Sequence, residues 1–105
     1  MWFIFPQIRG LGSSPMAVEF AIASREEAAG YLAHPILGPR LEECTGLVMQ
    51  VKGRAIDLIF PYPDDLKFCS SMTLFAQAAA DRPVFQEALR KYFDGQLDER
   101  TLALL

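Results

Sequence analysis

The sequence predicts an all-α domain of five to seven short helices, joined by connectors that contain proline or glycine. Apolar residues recur every three or four positions in several segments, which is the spacing of a helix with one buried side. Serine or aspartate precedes several of these segments, as expected of helix N-caps. No segment has the apolar–polar alternation of a half-buried strand. A multi-helical fold without long helices is therefore expected.

The composition predicts one domain over residues 1–105. The 105 residues are enough for one hydrophobic core and too few for two, and a 51% hydrophobic content favours folding over disorder. Ten Lys and Arg against thirteen Asp and Glu give a net charge of −3, without a basic run. We therefore expect no nucleic-acid partner.

The sequence also predicts a cytoplasmic protein that makes no contact with a membrane. The opening apolar run is too short to span a bilayer, and it lacks the basic n-region of a signal peptide. Cys44 and Cys69 have no CxxC spacing, so we expect buried free thiols, no metal site and no cofactor. The sequence does not indicate an oligomeric state.

The first third of the chain contains two predicted helices. Pro6 ends the opening apolar run, and a glycine-containing loop follows. Ser14 and Pro15 read as N-cap and first position of a helix that continues to about Ile22. Residues 24–27 fit a capping box, in which Glu27 reaches back to the Ser24 N–H, and they open a helix that ends near residue 33.

The middle of the chain begins with the His34–Pro35 break, where the residue before proline disfavours the helical region. We expect His34, the only histidine, to have a capping or structural role. A third helix follows from Gly38–Pro39, with Gly53 as the residue that ends it. The short, mainly apolar segment 55–60 fits either a helix or a strand.

The longest predicted helix covers residues 63–80, and it places Phe68, Met72 and Phe75 on one apolar side. The opposite side is polar and reads either as a solvated surface or as one wall of a cleft. Asp81 and Asp98 are predicted to cap the last two helices.

Four stretches resemble, in order and over nearly the whole chain, the bacterial family known as domain of unknown function 1810: MWFIFPQIRGLGSSPMA, YLAHPILGPRLEEC, PDDLKFCSSMTLF and KYFDGQLDERTLALL. The resemblance implies a mainly helical fold and no established activity. Relatives carry a further helix before the first stretch, so we expect this chain to lack that N-terminal helix. They commonly have arginine at the position of Cys69, and its loss argues against a phosphate site.

A composite of the glycine loop and the polar side of the central helix is the predicted ligand site, with the mixture of aromatic, amide, hydroxyl and charged groups typical of small-molecule sites. Its predicted ligand-binding residues are Trp2, Phe5, Gln7, Gly10, Gly12, Lys67, Ser70, Ser71 and Thr73. Asp64 and Asp65 are the candidate acids or bases if the site is catalytic. Cys69 reads as an inert core thiol.

Three functions remain open from the sequence. The first is binding of a small polar or nucleotide-like ligand at the composite site. The second is a protein-interaction module without catalysis, which would use the exposed apolar start of the chain. The third is hydrolysis of a small molecule, such as cleavage of an N-glycosidic bond, by Asp64 or Asp65.

Overall fold

Helices dominate the architecture, which confirms the all-α prediction. A computed structural model describes residues 4–12 and 14–105, with residues 16 and 17 described through their backbone. The helices within these ranges are α1 (Pro15–Glu19), α2 (Arg25–Ala33), α3 (Leu37–Met49), α4 (Ile56–Ile59), α5 (Asp64–Ala78), α6 (Val84–Phe93) and α7 (Glu99–Leu104). Of these described helices, none is long and apolar enough to cross a lipid bilayer.

Helix α1 ends three residues earlier than the predicted limit of Ile22. The Ile22 N–H donates to the Gln7 carbonyl and the Ile22 carbonyl accepts from the Arg9 N–H, both at 2.8 Å. These bonds form an isolated parallel bridge between Ile8 and Ile22, whose side chains are both buried. The prediction was wrong because this pairing with a distant loop competes with local helix formation.

Helix α2 begins with the predicted capping arrangement, in a slightly different form. The Ser24 hydroxyl accepts from the Glu27 N–H at 3.1 Å, while the Glu27 carboxylate accepts from the Ala23 N–H rather than from the predicted Ser24 N–H. Both bonds satisfy N–H groups that the first helical turn leaves without partners.

The turn from α2 to α3 depends on one side chain and one glycine. His34 Nδ1 accepts from the N–H groups of Ile36 and Leu37, so this histidine has the predicted structural role. A Cβ added to Gly38 would lie 2.0 Å from the Leu32 carbonyl oxygen. Only glycine therefore permits so close an approach of the two helices at this point.

Helix α3 ends at Met49, before the predicted limit at Gly53. Its last carbonyl groups find partners on α6, because the Tyr92 hydroxyl donates to the Val48 carbonyl and Lys91 Nζ donates to the Met49 carbonyl. Gly53 instead occupies a left-handed turn (φ +69°) beyond the helix. The ambiguous segment 55–60 contains the short helix α4.

Helix α5 lies at the centre of the core and packs against α2, α4, α6 and α7. Phe75 contacts the rings of Tyr31 and Phe85, at centroid distances of 5.6 and 5.5 Å. Phe68 contacts Phe5 edge-on at 5.1 Å. The apolar side of this helix is thus buried as the sequence predicted.

Candidate ligand-binding cleft

The polar side of α5 is buried along its middle and partly exposed at Asp64, Lys67 and Gln77, so the interpretation of this side as a solvated surface fails for the middle of the helix. Ser70, Ser71 and Thr73 are all shielded from solvent, together with Leu74 on the same side. Helix α7 packs against α5, and Asp98 at its start contacts Ser70 and Thr73. The buried hydroxyl groups of α5 need hydrogen-bond partners, because a buried polar group without a partner is costly.

Asp98 provides most of those bonds and fastens α7 to α5. Its Oδ2 accepts from the Ser70 hydroxyl at 2.9 Å, from the Thr101 N–H at 3.1 Å and from the Thr101 hydroxyl. Its own N–H donates to Thr73 Oγ1 at 2.9 Å. The predicted N-cap of the last helix is therefore also a tertiary link to α5.

A cleft of about 720 Å³ lies beside this link. The loop that precedes α1 forms one wall, the start of α5 forms a second, and the segment between α6 and α7 forms the third. The side chains that border it are Gln7, Leu11, Gly12, Ser14, Tyr62, Pro63, Leu66, Lys67, Cys69, Ser70, Phe93, Asp94, Gln96, Leu97, Asp98 and Arg100. Its size falls within the range of small-molecule sites, roughly 300–1,000 Å³.

Gln7 is the least exposed polar residue of this lining, with 2% of its surface accessible. Its backbone carbonyl is fixed by the bond from the Ile22 N–H. Its side-chain Nε2 is buried and has no hydrogen-bond partner among the described residues. An amide nitrogen left in this state costs on the order of 1–3 kcal/mol, so the site contains an unused donor.

The glycine loop reaches the cleft through close packing on α7. Gly10 adopts φ +103°, a conformation that side chains rarely permit, and a Cβ there would lie 3.3 Å from Leu104 Cδ1. Gly10 thus shapes the loop without bordering the cleft, whereas Gly12 borders it.

The charged groups of the lining are balanced, with Lys67 and Arg100 against Asp94 and Asp98. Lys67 Nζ lies 3.8 Å from the carboxylate of Asp64, and both side chains are partly exposed, so their attraction is weak. Among the described residues, Arg100 has no carboxylate within ion-pair distance. Two cationic groups thus remain accessible to a ligand.

Cys69 borders the cleft with a thiol that stays protonated. Burial, with further contributions from the nearby Asp98 and Asp65 carboxylates, raises the pKa of Cys69 to about 11. Because the thiolate is the nucleophile, a thiol with this pKa is unreactive near neutral pH. This geometry agrees with the sequence prediction of an inert thiol.

The predicted ligand-binding residues fall into two groups. Four of them border the cleft: Gln7, Gly12, Lys67 and Ser70. The Ser70 hydroxyl already donates within the protein, to Asp98 and to the Leu66 carbonyl.

The other predicted ligand-binding residues that the structure describes do not border the cleft. Phe5 is not an aromatic wall, because its ring is buried against Phe60 and Phe68 in the core. Ser71 is buried away from the cleft, and the Thr73 hydroxyl is engaged by the Cys69 carbonyl and the Asp98 N–H. Trp2 lies outside the described residues.

The two candidate catalytic carboxylates do not border the cleft. Asp64 pairs loosely with Lys67, and one carboxylate oxygen of Asp65 is buried without a hydrogen-bond partner among the described residues. The described part of the chain contains no group of three or more His, Cys, Asp and Glu residues arranged to hold a metal ion.

Sequence reasoning missed the contribution of the segment between α6 and α7. Asp94 and Leu97 in this segment, Phe93 at the end of α6 and Arg100 in α7 border the cleft, yet all four lie more than twenty positions after Ser70 in the sequence. The one available signal was the N-cap position of Asp98, which placed a polar side chain at the start of α7.

The fold and the site together define a small all-α domain with one well-formed cleft among its described residues. The sequence model of a family described as "Protein of unknown function (DUF1810)" matches residues 1–105, and the chain belongs to this family. Among solved structures, the chain is similar to the conserved hypothetical protein Rv1873 from Mycobacterium tuberculosis. The TM-score is 0.97 and the identity 62%, over 99% of this chain and 74% of that chain.

A search of curated proteins gave no match. Neither the family description nor that of the mycobacterial protein names a ligand or a reaction. The functional argument therefore rests on the geometry of the cleft.

Proposed function

We propose that this protein binds a small polar, nucleotide-like ligand in the cleft between the glycine loop, α5 and the segment before α7. The observation that carries the proposal is Gln7, a residue that borders the cleft and whose buried amide nitrogen has no hydrogen-bond partner among the described residues. Natural structures satisfy nearly all buried polar groups, and an exception in a cleft wall is typical of a binding site.

The rest of the lining supports the same function. Leu11, Phe93 and Leu97 offer apolar surface, and Tyr62 adds an aromatic ring that is 78% exposed at the rim. Lys67 supplies a positive charge beside them. A few polar groups set in a mainly apolar wall are the ordinary composition of a ligand pocket, and an exposed ring can stack on a planar ligand.

A thermal-shift screen tests this function, with nucleosides, nucleotides, ADP-ribose and sugar phosphates as probes. We expect at least one probe to raise the melting temperature of the wild-type chain, because a ligand that binds only the folded state stabilises it. The Lys67→Ala variant should lose that shift while melting at nearly the same temperature without ligand, since its ion pair is weak.

Lys52→Ala is the matched control, because Lys52 is an exposed lysine that does not border the cleft. It should keep the full ligand-induced shift. If the chain melts cooperatively and no probe raises its melting temperature, the result would count against the binding function. A shift that survives in Lys67→Ala would place the ligand elsewhere on the molecule.

A second candidate function is protein–protein interaction, which three exposed apolar side chains favour. Leu58 in α4, Tyr62 in the connector and Leu66 in the first turn of α5 are each more than half exposed and lie within nine positions in the sequence. Larger exposed apolar patches commonly mark interaction sites. Within the predicted apolar start, by comparison, Ile4 is exposed and Phe5 is buried, while residues 1–3 lie outside the described residues.

Hydrolysis by Asp64 or Asp65 has less support than ligand binding. A general acid or base must lie within hydrogen-bonding reach of the substrate, and neither carboxylate borders the cleft. Asp98 does border it, but its Oδ2 already accepts three hydrogen bonds that hold α7 in place.

A further inference from the structure

We infer that the inner wall of the cleft selects an uncharged group with a carbonyl acceptor, such as an amide or the edge of a nucleobase, over a carboxylate. The inner wall is defined here as Gln7, Cys69, Ser70 and Asp98, the polar lining residues that surround the link between α5 and α7. This inference rests on the proposed function, because it specifies the chemistry that the same cleft would accept.

The first argument is the hydrogen-bonding capacity of Gln7. The atom without a partner among the described residues is Nε2, which carries two N–H donors and no acceptor. The last torsion of a glutamine side chain has a broad energy profile, so the amide can turn toward the cleft at little cost. Its complement in a ligand is therefore an acceptor atom, and a carbonyl oxygen or an aromatic ring nitrogen meets this requirement.

The second argument is the Asp98 carboxylate, which borders the same cleft as Gln7 and separates a neutral acceptor from an anionic one. The Asp98 carboxylate lies behind Ser70, and it raises the pKa of the neighbouring Cys69 thiol in addition to the effect of burial. A site that disfavours the thiolate also disfavours the carboxylate of a ligand at the same place. A neutral carbonyl group accepts the bond from Gln7 without that repulsion.

The third argument is the position of the cationic groups. Arg100 is exposed at the rim, and Lys67 lies one helical turn before Ser71 on the more accessible part of α5. Neither is part of the inner wall as defined above. An anionic portion of the ligand would therefore bind to the cationic groups at the rim, and its neutral portion would bind at the inner wall.

Titration with benzamide and benzoate tests this selectivity, since the two share a ring and differ in the group that Gln7 would contact. Binding to the wild-type chain is measured by NMR chemical-shift changes up to millimolar concentration. Both probes can accept a hydrogen bond from Gln7, but only benzoate is repelled by the Asp98 carboxylate. We therefore expect benzamide to bind about tenfold or more tightly than benzoate. Shifted amide signals should include those of residues 7–12 and 69–71.

Gln7→Met is the decisive variant, because methionine keeps the length of the side chain and removes the donor. It should weaken benzamide binding about tenfold and leave benzoate binding nearly unchanged. Lys67→Ala should keep the preference for benzamide. A cooperative thermal melt of each variant shows that it folds. Wild-type titrations decide the question alone if Gln7→Met fails to fold.

Each result separates this inference from the binding function. Equal affinity for the two probes, tighter binding of benzoate, or no binding of benzamide up to its solubility limit would overturn the selectivity. A Lys67-dependent shift with another probe in the thermal screen would still support the binding function in those cases. If the screen also gives no shift, both proposals fall.

Discussion

The middle of α5 is buried on both its apolar and its polar side, but by different means. One side places Phe68, Met72 and Phe75 against α2 and α6, where packing between apolar surfaces excludes water. The other side places Ser70 and Thr73 beneath α7, where each hydroxyl group has a defined bonding partner. Apolar packing contributes in proportion to buried area and has no directional requirement. Burial of a hydroxyl group lowers the stability unless a hydrogen-bond partner is held in a suitable position.

This difference explains where the cleft forms. Hydrogen bonds to Ser70 and Thr73 determine the position of Asp98, and with it the position of the segment that forms the third wall. An apolar contact in the same place would leave that segment free to slide, because it would not fix an orientation. The apolar side of α5 thus provides most of the stability, and the polar side sets the shape of the site.

The largest predicted effect on stability comes from a substitution on the apolar side of α5. Phe75→Ala should lower the free energy of unfolding by about 3–5 kcal/mol, because it leaves a cavity between Tyr31 and Phe85 that the packed helices cannot fill. Chemical denaturation monitored by circular dichroism measures the change. Leu66→Ala, at a position that is 52% exposed on the same helix, is the control and should cost under about 1 kcal/mol. Equal losses in the two variants would contradict a core centred on Phe75.

The second prediction concerns Asp98, which links the polar side of α5 to α7. Asp98→Ala should cost about 2–3 kcal/mol, because it removes an N-cap, leaves the Thr101 hydroxyl without its acceptor and breaks the bond from Ser70, whose hydroxyl keeps only the Leu66 carbonyl. Hydrogen exchange should accelerate mainly in α7, since the loss is local. Glu99→Ala changes the adjacent exposed carboxylate and should cost a few tenths of a kcal/mol. A uniform loss of protection across the whole chain would argue against a local link.

The helices were predictable because their signals are local. Apolar spacing and the caps at Ser24 and Asp98 lie within a few positions of the elements they define. The predicted cap at Asp81 was wrong, because α6 begins at Val84 with Pro83 in the N-cap position and no side-chain cap bond. The two wrong ends, at Ile22 and Gly53, have a common cause. Each helix end is determined by a partner distant in sequence, the loop at residues 7–9 for the first and α6 for the second.

The site was less predictable than the fold. Polar residues on α5 and in the glycine loop were recognisable as candidates, and four of them border the cleft. The third wall comes from residues that no local pattern connects to α5, because the link between Asp98 and Ser70 spans 28 positions. Periodicity also cannot separate a hydroxyl that faces solvent from one that faces another helix.

The smallest predicted effect on stability is the difference between removing two equally buried hydroxyl groups from the polar side of α5. Thr73→Val keeps the side-chain shape but removes the bonds to the Cys69 carbonyl and the Asp98 N–H, so it should cost about 1–2 kcal/mol. The Ser71 hydroxyl has no hydrogen-bond partner among the described residues. Ser71→Ala should therefore leave the stability unchanged or raise it by up to about 1 kcal/mol, because a buried unpaired group is removed and alanine favours the helix.

Urea denaturation of both variants measures this difference directly, and hydrogen exchange in α7 adds a local readout. Thr73→Val should reduce protection in α7, whereas Ser71→Ala should not, because only Thr73 is bonded to the segment that carries α7. A loss in Ser71→Ala as large as that in Thr73→Val would mean that burial alone stabilises the polar side. The bonding geometry would then not be what positions the third wall of the cleft.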